Sequence, residues 1–113
     1  MKLIIVFFIF ILNIQAGNLE RELSRMIGWT IVGNVEIIGT IDEGKEDSMF
    51  RGCNGKNIIV FSNNLKALCI SYELALEIRP TAIIFNKNTT IDNREVKMYK
   101  MLVKDTIYNI NPR

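Results

Sequence analysis

The chain contains no histidine. That removes the most common general base and the most common metal ligand, so Ser-His and Cys-His nucleophile pairs and histidine-based zinc sites are excluded. Charge of one sign is also lacking: 14 basic and 12 acidic residues leave a net +2. Nucleic-acid binding needs basic residues gathered on one face, and this balance provides no such footprint. There is no Cys-x-x-Cys pair to lower a thiol pKa, no internal repeat and no low-complexity tract. The longest continuous apolar run, Leu3 to Leu12, is too short for a membrane-spanning helix.

That run has the order of a secretory leader. Lys2 precedes it, and Asn13-Ile14-Gln15-Ala16 follows it ahead of Gly17. The expectation is a signal peptide over residues 1–16, cut after Ala16, although Ile14 is bulky two residues before the cut. An uncleaved N-terminal anchor is the alternative. After cleavage no stable membrane span is expected, and the product is exported, periplasmic or secreted.

Residues 17–113 then form one small domain with little core to spare. Its two cysteines, Cys53 and Cys69, are an even pair in a short exported chain, which predicts one disulfide. Two buried free thiols are the other reading. A bond closing a loop of this length contributes about 3 kcal/mol in the chain-entropy model, against a domain stability of only about 5–15 kcal/mol.

Leu19, Leu23, Met26 and Ile27 fall on one helical stripe, with Asn18 as N-cap and Gly28 as stop. From Trp29 to Ile41 the period becomes two, which predicts a long strand. Gly33 and Gly39 inside it suggest the bulges of a strongly curved sheet. Residues 42–52 read as a polar acidic loop, followed by an Asn54-Gly55 turn. A hairpin is expected from Asn57 to Cys69 around Ser62-Asn63-Asn64; it places Cys69 opposite about Ile58, so residues 53–57 must fold back for Cys53 to reach it. Tyr72, Leu74, Leu76 and Ile78 alternate with Glu73, Ala75, Glu77 and Arg79, a strand with one apolar face assigned to the core. Pro80 interrupts it, and a strand follows over 81–86. A polar loop is expected at 87–94, then a strand over 95–103, a turn at Lys104-Asp105 and a last strand over 106–110. The whole predicts an all-β domain: a small five- or six-stranded barrel or strongly curved antiparallel sheet, with a short N-terminal helix across one opening.

Several of these residues carry a resemblance. Gly28-Trp29-Thr30, Gly39-Thr40-Ile41-Asp42, Phe50-x-Gly52-Cys53, Cys69-x-x-Tyr72, Arg79-Pro80-x-Ala82 and Tyr99-Lys100-Met101 resemble a family of short exported bacterial proteins. The resemblance spans most of the mature chain. It implies export and a β fold, and it assigns no activity and no catalytic residue.

Candidate chemistry is sparse. Asp42, Glu43, Glu46 and Asp47 are the one dense set of oxygen ligands, but they lack the alternating positions and distal glutamate of a helix-loop-helix calcium site, so no metal and no cofactor are expected. Paired with Glu73 or Glu77 they could serve a carboxylate hydrolase, the alternative to a non-catalytic reading. Arg94, Lys97, Lys100 and Lys104 interleave with Met98, Tyr99 and Met101. That pattern suits single-stranded nucleic-acid barrels, but it also protects a sheet edge, and the second reading is preferred. Trp29 and Tyr72 fall on core faces by alternation. Asn88-Thr89-Thr90 is a glycosylation acceptor in a eukaryotic host. The functional expectation is an exported non-catalytic binding or structural domain, in the manner of a periplasmic inhibitor or accessory protein. Its partner is expected to be a protein and its working surface Asp42, Glu43, Glu46 and Asp47.

Overall fold

The computed structural model describes residues 19–113; the leader expected over 1–16 lies outside the described residues. Among the described residues, nine strands follow a short helix at 19–24: β1 (Thr30–Asp42), β2 (Lys45–Asp47), β3 (Met49–Asn54), β4 (Ile58–Phe61), β5 (Lys66–Cys69), β6 (Tyr72–Ile78), β7 (Thr81–Ile91), β8 (Arg94–Val103) and β9 (Thr106–Pro112). Six of them, in the order β1-β4-β5-β9-β8-β7, form an antiparallel barrel that closes where β1 meets β7.

Closure depends on β1 serving two neighbours. Its first half pairs with β7 from Thr30 to Glu36, and its second half pairs with β4 from Ile37 to Ile41. The register shifts between Ile31 and Gly33 and again between Ile37 and Gly39, so each bulge is followed by a glycine, as the curvature expected from Gly33 and Gly39 requires. The barrel is filled by Ile37, Ile59, Phe61, Ala82, Met101, Val103, Tyr108 and Ile110. Phe50 meets Tyr108 edge-on, with ring centroids 5.5 Å apart.

The helix does not plug an opening. Met26 and Leu19 pack with Trp29, Ile83, Phe85, Leu102 and Ile107 in a second cluster. Phe85 and Leu102 neighbour the barrel-filling Ile84 and Met101 along their strands, and adjacent residues of a strand point to opposite faces. The helix therefore lies on the outer wall of β7, β8 and β9. Trp29 belongs to this outer cluster, and the Lys100 ammonium sits 4.9 Å from its ring centroid.

Two expected loops are extended hairpins instead. Asp42 pairs with Lys45 across Glu43-Gly44, and Ile91 pairs with Arg94 across Asp92-Asn93. All four turn residues have positive φ, the backbone of a two-residue type I′ turn whose twist matches the flanking strands. Residues 87–94 thus prolong β7 and β8, and only the Arg94–Met98 part of β8 extends past its pairing with β9.

Outside the barrel, β3 and β6 form a two-stranded sheet whose inner side adds Phe50, Cys53 and Ala75 to the core. Cys53 is bonded to Cys69 at a Cα separation of 5.5 Å, tying β3 to the barrel strand β5. Residues 53–57 do fold back to permit it, and Cys69 faces Asn57 rather than Ile58: its N–H donates to the Asn57 carbonyl at 2.9 Å. Replacing Cys53 by Ser is expected to lower stability by about 2–4 kcal/mol in denaturant titration, and reductant should shift the native protein by a similar amount and the variant not at all.

A groove of carboxylates above the disulfide corner

Gly52, Cys53, Asn54 and Asn57 make the corner from which a groove opens. The backbone at Gly52 has φ +82, and a Cβ there would lie 2.1 Å from the Glu73 carbonyl oxygen and 2.7 Å from the Ala75 nitrogen. Only glycine lets β3 approach β6 this closely. Asn57 is a polar side chain only 4% exposed, and both its amide nitrogen and its amide oxygen are hydrogen-bonded. Its Nδ2 donates to the Gly52 carbonyl at 2.8 Å, and its Oδ1 accepts from the Asn54 N–H at 2.9 Å. Asn54 Oδ1 accepts in return from the Lys56 and Asn57 N–H groups at 3.0 and 2.8 Å.

The β1–β2 hairpin forms the opposite wall. Gly39 allows it to fold close, since a Cβ there would lie 2.9 Å from the Asp47 carbonyl oxygen. Thr40 Oγ1 donates to the Met49 carbonyl at 2.9 Å, joining β1 to β3. Asp42 Oδ2 accepts from Asn54 Nδ2 at 3.0 Å, joining the wall to the corner. The groove between these walls is open to solvent and has a volume of about 530 Å³.

All four acidic residues singled out from the sequence, Asp42, Glu43, Glu46 and Asp47, line this groove. They do so from a hairpin and not from a loop, because Lys45–Asp47 is a strand paired to Thr40–Asp42. Lys45 and Arg51 also line it, which leaves the acids in excess by two. Arg51 Nε donates to Asp47 Oδ2, and the Met49 N–H donates to Asp47 Oδ1 at 3.0 Å. The guanidinium first, and the N–H next, hold the Asp47 carboxyl below the usual carboxylate range. Among the described residues, no three acidic or cysteine side chains are grouped as a metal ion would require. Glu73 and Glu77 of β6 do not line the groove, and Glu77 is paired with Lys104 at 3.6 Å.

Sequence reasoning placed Arg51 within the acidic stretch 42–52 without singling it out, and missed Asn54 and Asn57 as parts of this site. The Asn54-Gly55 turn signal was visible, but an asparagine heading an apolar run gives no sign that it will be buried and bonded three ways. Tyr72 is a correction: it is 79% exposed, not core. The basic strand makes a separate place. Lys97 and Lys100 line a cleft of about 520 Å³ with Trp29, and Lys100 is already engaged by the indole.

No family model, curated protein or solved structure matches the chain. Its function must be argued from this geometry.

The depressed Asp47 pKa has a direction in pH. Whatever stability the pair adds is present above the ordinary carboxylate pKa of about 3.9 and is lost as pH falls through the lower folded value. In an NMR titration the Asp47 carboxyl carbon should have its midpoint below that ordinary value, and Arg51→Gln should raise it. Asn57→Ala should cost about 2–4 kcal/mol in thermal or denaturant unfolding, since it strands the Gly52 carbonyl and the Asn54 N–H in a buried corner.

Proposed function

We propose that the chain is an exported, non-catalytic binding module, of the inhibitor or accessory type, whose groove between the β1–β2 hairpin and the β3 corner takes a basic segment of a partner protein. The observation that carries the reading is that Asp42, Glu43, Glu46 and Asp47 all border one groove, in which acids outnumber bases by two. Its walls are braced by backbone and asparagine hydrogen bonds, so the charges are presented with little ordering cost on binding. Charge complementarity of this kind favours encounter and specificity. The Cys53–Cys69 bond is consistent with an oxidising compartment. The leader pattern of residues 1–16 supports export independently of the fold.

The hydrolase alternative has less support. A general acid of a carboxylate pair needs a raised pKa, and the Asp47 carboxyl moves the other way. Glu73 and Glu77, the partners it would need, do not line the groove. A membrane-anchored form depends on residues 1–16, and N-terminal sequencing of the protein from its host decides between it and a product beginning at Gly17 or Asn18.

The test is a comparison of the native protein with a fourfold variant, Asp42→Asn, Glu43→Gln, Glu46→Gln and Asp47→Asn. Asparagine at 47 keeps the acceptor that Met49 uses, and the Arg51 pair is exposed and screened by solvent, so the melting temperature should move little. Binding of a lysine- and arginine-rich peptide, and capture of partners from the exported fraction, should fall sharply. The native interaction should weaken with added salt. Unaltered binding by the fourfold variant would contradict the reading and shift attention to Lys97 and Lys100.

A further inference from the structure

The strand β6 turns its apolar side away from the molecule. Tyr72 is 79% exposed, Leu74 79%, Leu76 61% and Ile78 76%, while the small Ala75 faces the core. This is the reverse of the expectation from alternation, which identifies two faces without saying which is covered. The orientation is not loosely held. Gly52 fixes the contact with Glu73 and Ala75, the register shifts once between Phe50 and Gly52, and Cys53 beside it is bonded into the barrel. A one-residue slip would bury the leucines, but it would break all three.

An antiparallel sheet with one solvated face ordinarily puts polar side chains there. Here four large apolar side chains in a row expose on the order of 500 Å², near the top of the range for the largest apolar patch on a monomer. Among the described residues, β6 has a single strand neighbour, β3, so nothing else of the fold covers the stripe.

We infer that this face is where a second copy of the chain docks, through the β3–β6 sheets packed face to face about a twofold axis. Two copies of the patch bury about 1,000 Å² together, which is the threshold at which a specific interface begins, and an isologous contact supplies both halves from one stripe. With the stripes antiparallel, Leu74 of one copy meets Leu76 of the other and Tyr72 meets Ile78, so large apolar groups face large apolar groups along the whole length. The size predicts a modest affinity, in the micromolar range, and an apolar contact predicts that salt does not dissolve it. The acidic groove shares only Leu74 with this face and stays open beside it.

Sedimentation velocity of the protein recovered from its host, over a dilution series spanning the micromolar range in low and high salt, tests the inference. The expected result is a monomer–dimer equilibrium that high salt leaves unchanged. The double variant Leu76→Lys and Ile78→Lys, neither of which lines the groove, should sediment as a monomer throughout, a loss of at least about 100-fold in association. Its circular dichroism and melting temperature should be no lower than those of the native monomer, because both side chains are exposed there. Leu76→Ser with Ile78→Ser provides the same test without added charge. The fourfold groove variant should still dimerise, and the double lysine variant should still bind the basic peptide, so failure of either proposal is read separately. A native protein that remains monomeric across the series, or a double variant that still dimerises, overturns the inference; the first outcome would assign the stripe to a different partner.

Discussion

The bond between Cys53 and Cys69 and the glycine beside it, Gly52, set the rest of the functional architecture. The barrel holds itself together through six hydrogen-bonded strands and a filled interior, but β3 and β6 belong to none of its pairings. A two-stranded sheet is marginal alone in water. It persists here because Phe50 and Cys53 enter the barrel core and because the disulfide anchors β3 to β5. Gly52 then fixes how β6 lies against β3, and Asn57 closes the corner with bonds to Gly52 and Asn54.

Two surfaces follow from that one corner. On one side, Asn54 reaches Asp42 and aligns the β1–β2 hairpin, so that its carboxylates line a groove. On the other, the register imposed on β6 turns Ala75 inward and four large apolar side chains outward. A small domain has little core to commit, and this one leaves a strand's worth of apolar surface uncommitted. Its acidic and apolar surfaces adjoin at Leu74.

Much of the scaffold was readable from residues. The curvature expected from Gly33 and Gly39 is realised as two bulges that let β1 serve both β7 and β4. The cysteine count predicted the disulfide, and the Asn54-Gly55 signal located the fold-back that makes it possible. The errors have physical causes. Alternation in β6 identified a strand and two faces, but the choice of face rests on Gly52, a long-range contact with no local signature. Glu43-Gly44 and Asp92-Asn93 form two-residue turns, and polar flanking residues made their hairpins read as loops. The helix stripe identified an amphipathic element without revealing that the outer wall carries its own apolar patch, Phe85 and Leu102, to receive it. The four acidic residues were legible as a cluster, whereas the asparagines that organise them were not.

Native-state hydrogen exchange with the disulfide oxidised and then reduced tests the dependence on this corner most directly. The account predicts that reduction, under conditions where the barrel stays folded, raises exchange first at the amides of β3, β6 and the 54–57 corner, with β1, β7 and β8 still protected. Loss of protection evenly across all strands, or unchanged protection in β3 and β6, would contradict it.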